Sequence, residues 1–118
     1  MSDRATIRQI IERYIAGINS GEVGDIPLTD DVEFRGAMLA EPKIGEATVR
    51  QHLADIAPFA DMELVDLLVE NDAAAAMIEV RTITGQNVMG LGLFRFRDGA
   101  ICYHRGFTDT HQLFTGQR

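Results

Sequence analysis

The sequence predicts an α+β domain in which N-terminal helices cover one face of a curved antiparallel sheet. Three observations carry that expectation. Apolar residues recur at helical spacing in the first half of the chain, at Ile7, Ile10, Ile11, Tyr14, Ile15 and Ile18, and again at Val49, Leu53 and Ile56. From Met62 onward they instead fill three or four segments rich in Val, Ile, Leu and Phe. Those segments are separated by Asn71-Asp72, Thr84-Gly85-Gln86-Asn87 and Asp98-Gly99, the residue types that hairpin turns require.

Residues 4–19 form the first predicted helix, and Asn19-Ser20-Gly21 stops it. Gly21, Gly24 and Pro27 then break any periodicity and leave room for one short turn carrying Val23, Ile26 and Leu28. Val32 to Met38 reads as a strand and Glu41-Pro42-Lys43 as a turn. Gly45 opens a second helix with Val49, His52, Leu53, Ile56 and Ala57 on one face, and Pro58 ends it. Strands near 62–70, 73–83, 88–97 and 100–109 should form an antiparallel meander. The run Ala73 to Ala76 favours helix in isolation. Its place between Asn71-Asp72 and the β-branched Ile78, Val80, Thr82 and Ile83 assigns it to a strand.

A chain of 118 residues with 46% hydrophobic and 25% charged residues can bury a core, and its length predicts one domain over residues 1–118. The net charge of −7, with the few basic residues scattered, makes nucleic acid and anionic membrane surfaces poor partners. Cys102 is the one cysteine, so no intramolecular disulfide forms. No zinc ligand set is present, and no cofactor is expected. The N-terminus lacks the charged and long apolar regions of a signal peptide, and no apolar run approaches the roughly 18 residues of a membrane helix. The expected location is cytoplasmic.

Several local patterns resemble the NTF2-like superfamily, the cone-shaped, cystatin-like α+β proteins that include ketosteroid isomerase, limonene epoxide hydrolase and SnoaL-like polyketide cyclases. Residues 11–22 (IERYIAGINSGE) resemble the first helix of ketosteroid isomerase, with Tyr14 where that enzyme places its oxyanion-hole phenol. Asp30-Asp31-Val32-Glu33-Phe34 resembles the acidic pair that opens the first strand, and Glu41-Pro42-Lys43-Ile44-Gly45 the turn into the next helix. Residues 94–99 with Ile101 resemble the last hairpin. The resemblance covers roughly residues 5 to 113 and implies the fold. Function must be argued from the pocket, because folds of this kind host many chemistries.

The sequence departs from these enzymes where their acids stand. Gly36 occupies the stretch of the isomerase's general base, Gly92 that of its oxyanion-stabilising acid, and Gly106 the last-strand position of the cyclase and hydrolase aspartate. Asp109 lies three residues farther, on the opposite parity of a regular strand. With Gly92 set inward by the resemblance, alternation also turns Val88, Gly90, Phe94 and Phe96 into the cavity and leaves Met89, Leu91, Leu93, Arg95 and Arg97 outside. Anchored in the same way on Gly106, the last strand sends Cys102 and His104 inward and Tyr103, Arg105 and Phe107 outward. The inward glycines at 36, 90, 92 and 106 either relieve strain in a curled sheet or widen the cavity for a flat ligand.

His104 is then the candidate proton carrier, or else a core histidine satisfied by one neighbour. Tyr14 donates to a substrate oxygen, or packs as a hydrophobe with its hydroxyl on a carbonyl or water. Asp109 pairs with His104 if the strand bulges or ends early, and otherwise stays solvated. Asp66 and His52 are second-rank polar candidates, and Glu33 with Arg35 should form an outward charge pair. Two functions follow. One is a cofactor-free proton-transfer enzyme, an isomerase, cyclase or epoxide hydrolase acting on a hydrophobic ligand with Tyr14, His104 and Asp109. The other is a non-catalytic homodimeric module that binds an apolar small molecule. Apolar residues on the outside of a strand suggest that a second copy covers the outer sheet face.

Overall fold

The structure, a computed structural model, describes residues 3–36 and 39–108. Helix α1 (Arg4–Ser20) begins where the Asp3 carboxylate accepts the Thr6 N–H at 2.8 Å and ends at Gly21, whose φ of 82° closes the left-handed stop. A single 3-10 turn (Val23–Asp25) leads to β1 (Leu28–Arg35), which starts before the expected Val32. The short β2 (Lys43–Ile44) precedes α2 (Glu46–Ile56), and a second 3-10 turn (Ala57–Phe59) around Pro58 ends that helix. Four strands follow: β3 (Ala60–Glu70), β4 (Ala73–Thr82), β5 (Asn87–Arg97) and β6 (Ala100–Thr108).

The meander β3–β6 pairs antiparallel throughout, and the alanine run lies within β4. Asp98 (φ 55°) and Gly99 (φ 76°) both take the left-handed conformation that a tight two-residue hairpin needs. The sheet order is β2-β1-β6-β5-β4-β3, and to the expected antiparallel pairings it adds a parallel one, β1 beside β6. Between these two neighbours the chain passes through α2 and four strands, so no turn links them. The result is a mixed, curved six-stranded sheet with both helices on one face.

That covered face holds the core. Ile7, Ile11 and Ile18 of α1, with Val49 and Leu53 of α2, pack on Val32, Phe34, Ala76, Phe94 and Ile101 of the strands. Ala74 and Ala76 point inward beside Phe94, the alanine side chains leaving space for the aromatic rings of β5. Arg50 fastens α2 to the turn between α1 and β1, donating to the carbonyls of Val23 (2.7 Å) and Ile26 (3.0 Å) while it meets Glu46 at 2.7 Å.

Candidate functional site

The β5–β6 ladder sets the site as three inward rungs, Phe94 with His104, Gly92 with Gly106, and Gly90 with Thr108. Successive rungs are about 6.6 Å apart, two residues of strand. The His104 imidazole leans over the middle rung. A Cβ at Gly92 would stand 3.1 Å from His104 Nε2 and 2.8 Å from Phe94 Cε1, and one at Gly106 would stand 3.4 Å from His104 Cε1. These two glycines therefore make room for the protein's own rings. Neither explanation open in the sequence named that occupant.

His104 sits among aromatic rings, 4.5 Å between centroids from both Phe34 and Phe94 and 5.9 Å from Tyr14. Its Nδ1 is buried with no hydrogen-bond partner among the described residues. Burial, with a smaller contribution from the charge of His52, pushes the imidazole pKa down to about 3. The ring is neutral across the ordinary pH range. Tyr14 is 3% exposed and packs edge-on against Phe94 at 5.3 Å. Burial alone raises its phenol above the ordinary tyrosine value, so it too stays protonated.

One cavity opens between the end of α2 and the far ends of β3–β6, reaching the ladder at the Gly90–Thr108 rung. It measures about 400 Å³ and is lined mainly by apolar groups, among them Ile56, Phe59, Met62, Val80, Val88 and Gly90, with Thr82, Thr108 and Asp55 also present. A second cavity of about 230 Å³ lies near the end of β1, against Arg35, Gly36, Leu39, Arg105, Gly106 and Phe107. Of the residues singled out from sequence, Val88 and Gly90 line the first cavity, and Gly36 and Gly106 line the second. Tyr14, Gly92, Phe94 and His104 gather in the aromatic cluster behind the first cavity.

Cys102 departs from the expected alternation. The β5–β6 register shifts between Arg95 and Phe96, and Cys102 is left without a Cα partner while Ile101 takes the fully buried place opposite Phe96. This bulge corrects the inward assignment of Cys102, since the extra residue resets the parity of everything before Tyr103. Asp109 lies outside the described residues. Asp66 is exposed, its carboxylate accepting its neighbour's Leu67 N–H, and Glu33 and Arg35 form the expected ion pair. His52 lines a shallow depression with Lys43 and Asp55, apart from the His104 cluster. Its pKa is lowered by burial and by Lys43, against an opposing pull from Asp55.

Sequence reading missed Phe34, Phe59 and Thr108. Parity could have found two of them, because Phe34 shares the phase of Gly36 and Thr108 that of His104 and Gly106. Phe59 carried only a weak signal, a large aromatic directly after the helix-ending Pro58. Among the described residues no cluster of His, Cys, Asp or Glu could hold a metal ion, and no helix is long and apolar enough to cross a membrane.

A family model for the SnoaL-like domain matches residues 11–104. The chain belongs to the SnoaL-like family. No curated protein matches this SnoaL-like sequence. Solved structures do. TsrD from Streptomyces laurentii is 24% identical with a TM-score of 0.80, over 98% of this chain and 96% of its own. An NTF2-like protein of unknown function from Mesorhizobium loti is 20% identical with a TM-score of 0.80, over 92% of this chain and 96% of its own. A protein from Kribbella flavida, described provisionally as a ketosteroid isomerase, is 18% identical with a TM-score of 0.80, over 92% and 82%. At these identities the likeness establishes the NTF2-like fold of this SnoaL-like chain and no more.

Proposed function

We propose that this SnoaL-like chain binds a flat, apolar small molecule in the cavity between the end of α2 and β3–β6, with a neutral hydroxyl of the ligand turned to His104. The observation that carries the reading is the orphaned Nδ1 of a ring that leans over the Gly92–Gly106 rung, next to the Gly90–Thr108 rung that lines the mainly apolar cavity. A buried polar atom without a partner costs about 1–3 kcal/mol, and a ligand that bonds it recovers that energy. A hydroxyl suits either imidazole tautomer because it can donate or accept, whereas a carbonyl suits only a protonated Nδ1. The single free cysteine fits a reducing, cytoplasmic setting.

Binding accounts for the groups better than proton transfer does. A general base works best with a pKa near the operating pH. His104 is held near 3 and the Tyr14 phenol above its ordinary value, so neither exchanges a proton readily near neutrality. Among the described residues no carboxylate is buried. The enzyme reading, an isomerase, cyclase or epoxide hydrolase, is favoured by one observation. The Tyr14 and His104 rings lie 5.9 Å apart, so a phenol and an imidazole can share one substrate oxygen.

The test is a thermal-shift screen of steroids, phenols, polyketide fragments and epoxides, with turnover assays on every hit. The parent should be stabilised by neutral hydroxylated compounds, the His104→Phe variant should lose most of the shift, and no product should form. Turnover that falls in Tyr14→Phe and His104→Ala would replace binding with catalysis.

A further inference from the structure

The second cavity, of about 230 Å³ near the end of β1, is walled by a different chemistry from the first. After β1 the chain turns back on itself. The Leu39 N–H donates to the Gly36 carbonyl at 3.1 Å, and the Leu39 side chain packs so closely on Gly36 that a Cβ there would meet it at 3.2 Å. Leu39 and Pro42 give the cavity an apolar wall, and Phe107 of β6 adds an aromatic one. Two arginines, Arg35 and Arg105, line the same space.

Their placement is unfavourable by itself. Arg35 and Arg105 are Cα partners in the parallel β1–β6 ladder, on strands about 4.8 Å apart, and like charges side by side on a sheet repel. Arg95 of β5, opposite Tyr103, brings a third positive charge one rung away. The chain holds only 11 basic residues and a net charge of −7, so such a gathering runs against its composition. Arg35 Nε faces the Glu33 carboxylate, its one ion pair among the described residues. Arg105 makes neither a hydrogen bond nor an ion pair among those residues. Its guanidinium lies 5.5 Å from the centroid of the Phe107 ring, a cation–π contact with another part of the cavity wall.

We infer that this cavity binds a small organic carboxylate, its anionic end held by Arg105 and Arg35 and its body against Leu39 and Pro42. A guanidinium presents a planar fork that meets a carboxylate through two parallel N–H···O bonds, and an anion between two arginines replaces their repulsion with attraction. The charge of the lining sets the charge of the ligand. Among the described residues Glu41 is the one acid in the wall, so the two arginines leave a surplus of one positive charge. That surplus suits a monoanion better than a phosphate dianion, and the apolar wall suits a carbon skeleton better than a free inorganic ion. The volume falls below the roughly 300–1,000 Å³ of drug-sized pockets, which keeps the ligand small. The first cavity is lined by one acid, Asp55, and among the described residues by no arginine or lysine, so it does not offer the same anion a partner. The two cavities share no lining residue, and the inference does not rest on the reading of the first.

Nitrogen-resolved NMR of the full chain, titrated with benzoate, tests it. The Nε–H signals of Arg35 and Arg105 and the amide signals of Gly106 and Phe107 should move saturably, while those of Val88 and Gly90 stay. Benzamide, a neutral molecule of nearly the same shape, should leave all of them in place. Arg105→Gln should weaken benzoate binding about tenfold to a hundredfold, the loss of a charge-assisted pair. Arg105→Lys should recover only part of it, since an ammonium keeps the charge without the fork. Arg105 is exposed, so both variants should fold, and far-UV circular dichroism checks that they do. No saturable movement with benzoate would overturn the inference, as would an equal response to benzamide or an Arg105→Gln protein that binds benzoate as the parent does. Movement at Val88 and Gly90 alone would put the anion in the first cavity and overturn it too. Inorganic phosphate that holds these arginines more tightly than benzoate would overturn the carboxylate assignment.

Discussion

Residue 92 has no side chain because two rings already occupy the space a side chain would take. In Gly92→Ala the new methyl meets Phe94 Cε1 at 2.8 Å, a ring edge held between Tyr14 and Phe96, and the neighbours must shift. Overpacking of this kind costs about 1–3 kcal/mol, and a urea midpoint lowered with an unchanged m-value should report it. His104 allows a second prediction with a definite sign. Its folded pKa of about 3 lies below the ordinary 6.5, so between those pH values the unfolded chain binds a proton that the folded chain refuses. Stability must therefore fall as the pH drops from 6.5 toward 3, by at most about 1.4 kcal/mol per pH unit from this group, and be unaffected by it above 6.5. His104→Phe removes both the penalty and the orphaned nitrogen. Urea unfolding from pH 7 to pH 4 should give a shallower decline in the variant than in the parent, with surface carboxylates cancelling in the difference. The inward placement of His104 was legible from strand alternation anchored on Gly106. Its desolvation was not, because the rings that enclose it come from α1, β1 and β5 and share no local pattern.

Among the elements, β3 is an edge strand, and the end of α1 covers part of its exposed side. The Asn19 amide donates to the Met62 carbonyl at 2.8 Å and accepts the Met62 N–H at 2.7 Å, taking the place of a neighbouring strand at that residue. Each bond contributes about 0.5–1.5 kcal/mol net. Asn19→Ala should lose both and Asn19→Asp only the donated one, so chemical denaturation should rank parent above Asp above Ala. The sequence showed Asn19 solely as part of a helix stop. That is the general division between what could and could not be read. Helix periodicity, capping and hairpin turns are local, and the two helices and the four-strand meander follow from them with ends shifted by a residue or two. Partnership of β1 with β6 joins strands more than sixty residues apart, and the Cys102 bulge belongs to the pairing of β6 with β5. Neither leaves a mark in the neighbouring residues.

At the scale of the whole molecule, β5 divides its side chains between two sides of the sheet. Val88 and Gly90 face the cavity, while Met89 and Leu91 face the opposite way. Alternation made this split legible, although the cavity mouth itself was not, because its wall is assembled from α2, the Pro58 turn and four strands. The two sides should be separable in a single experiment. A saturating hydroxylated ligand found by screening should raise the Tm of the parent and of Leu91→Asp by a similar amount, because it stabilises the folded chain by RT ln(1 + [L]/Kd) whatever stands on the outer face. His104→Phe should lose that shift. A ligand shift that vanished in Leu91→Asp would mean that the outer face shapes the cavity through β5, and the two faces would then have to be treated as one coupled site.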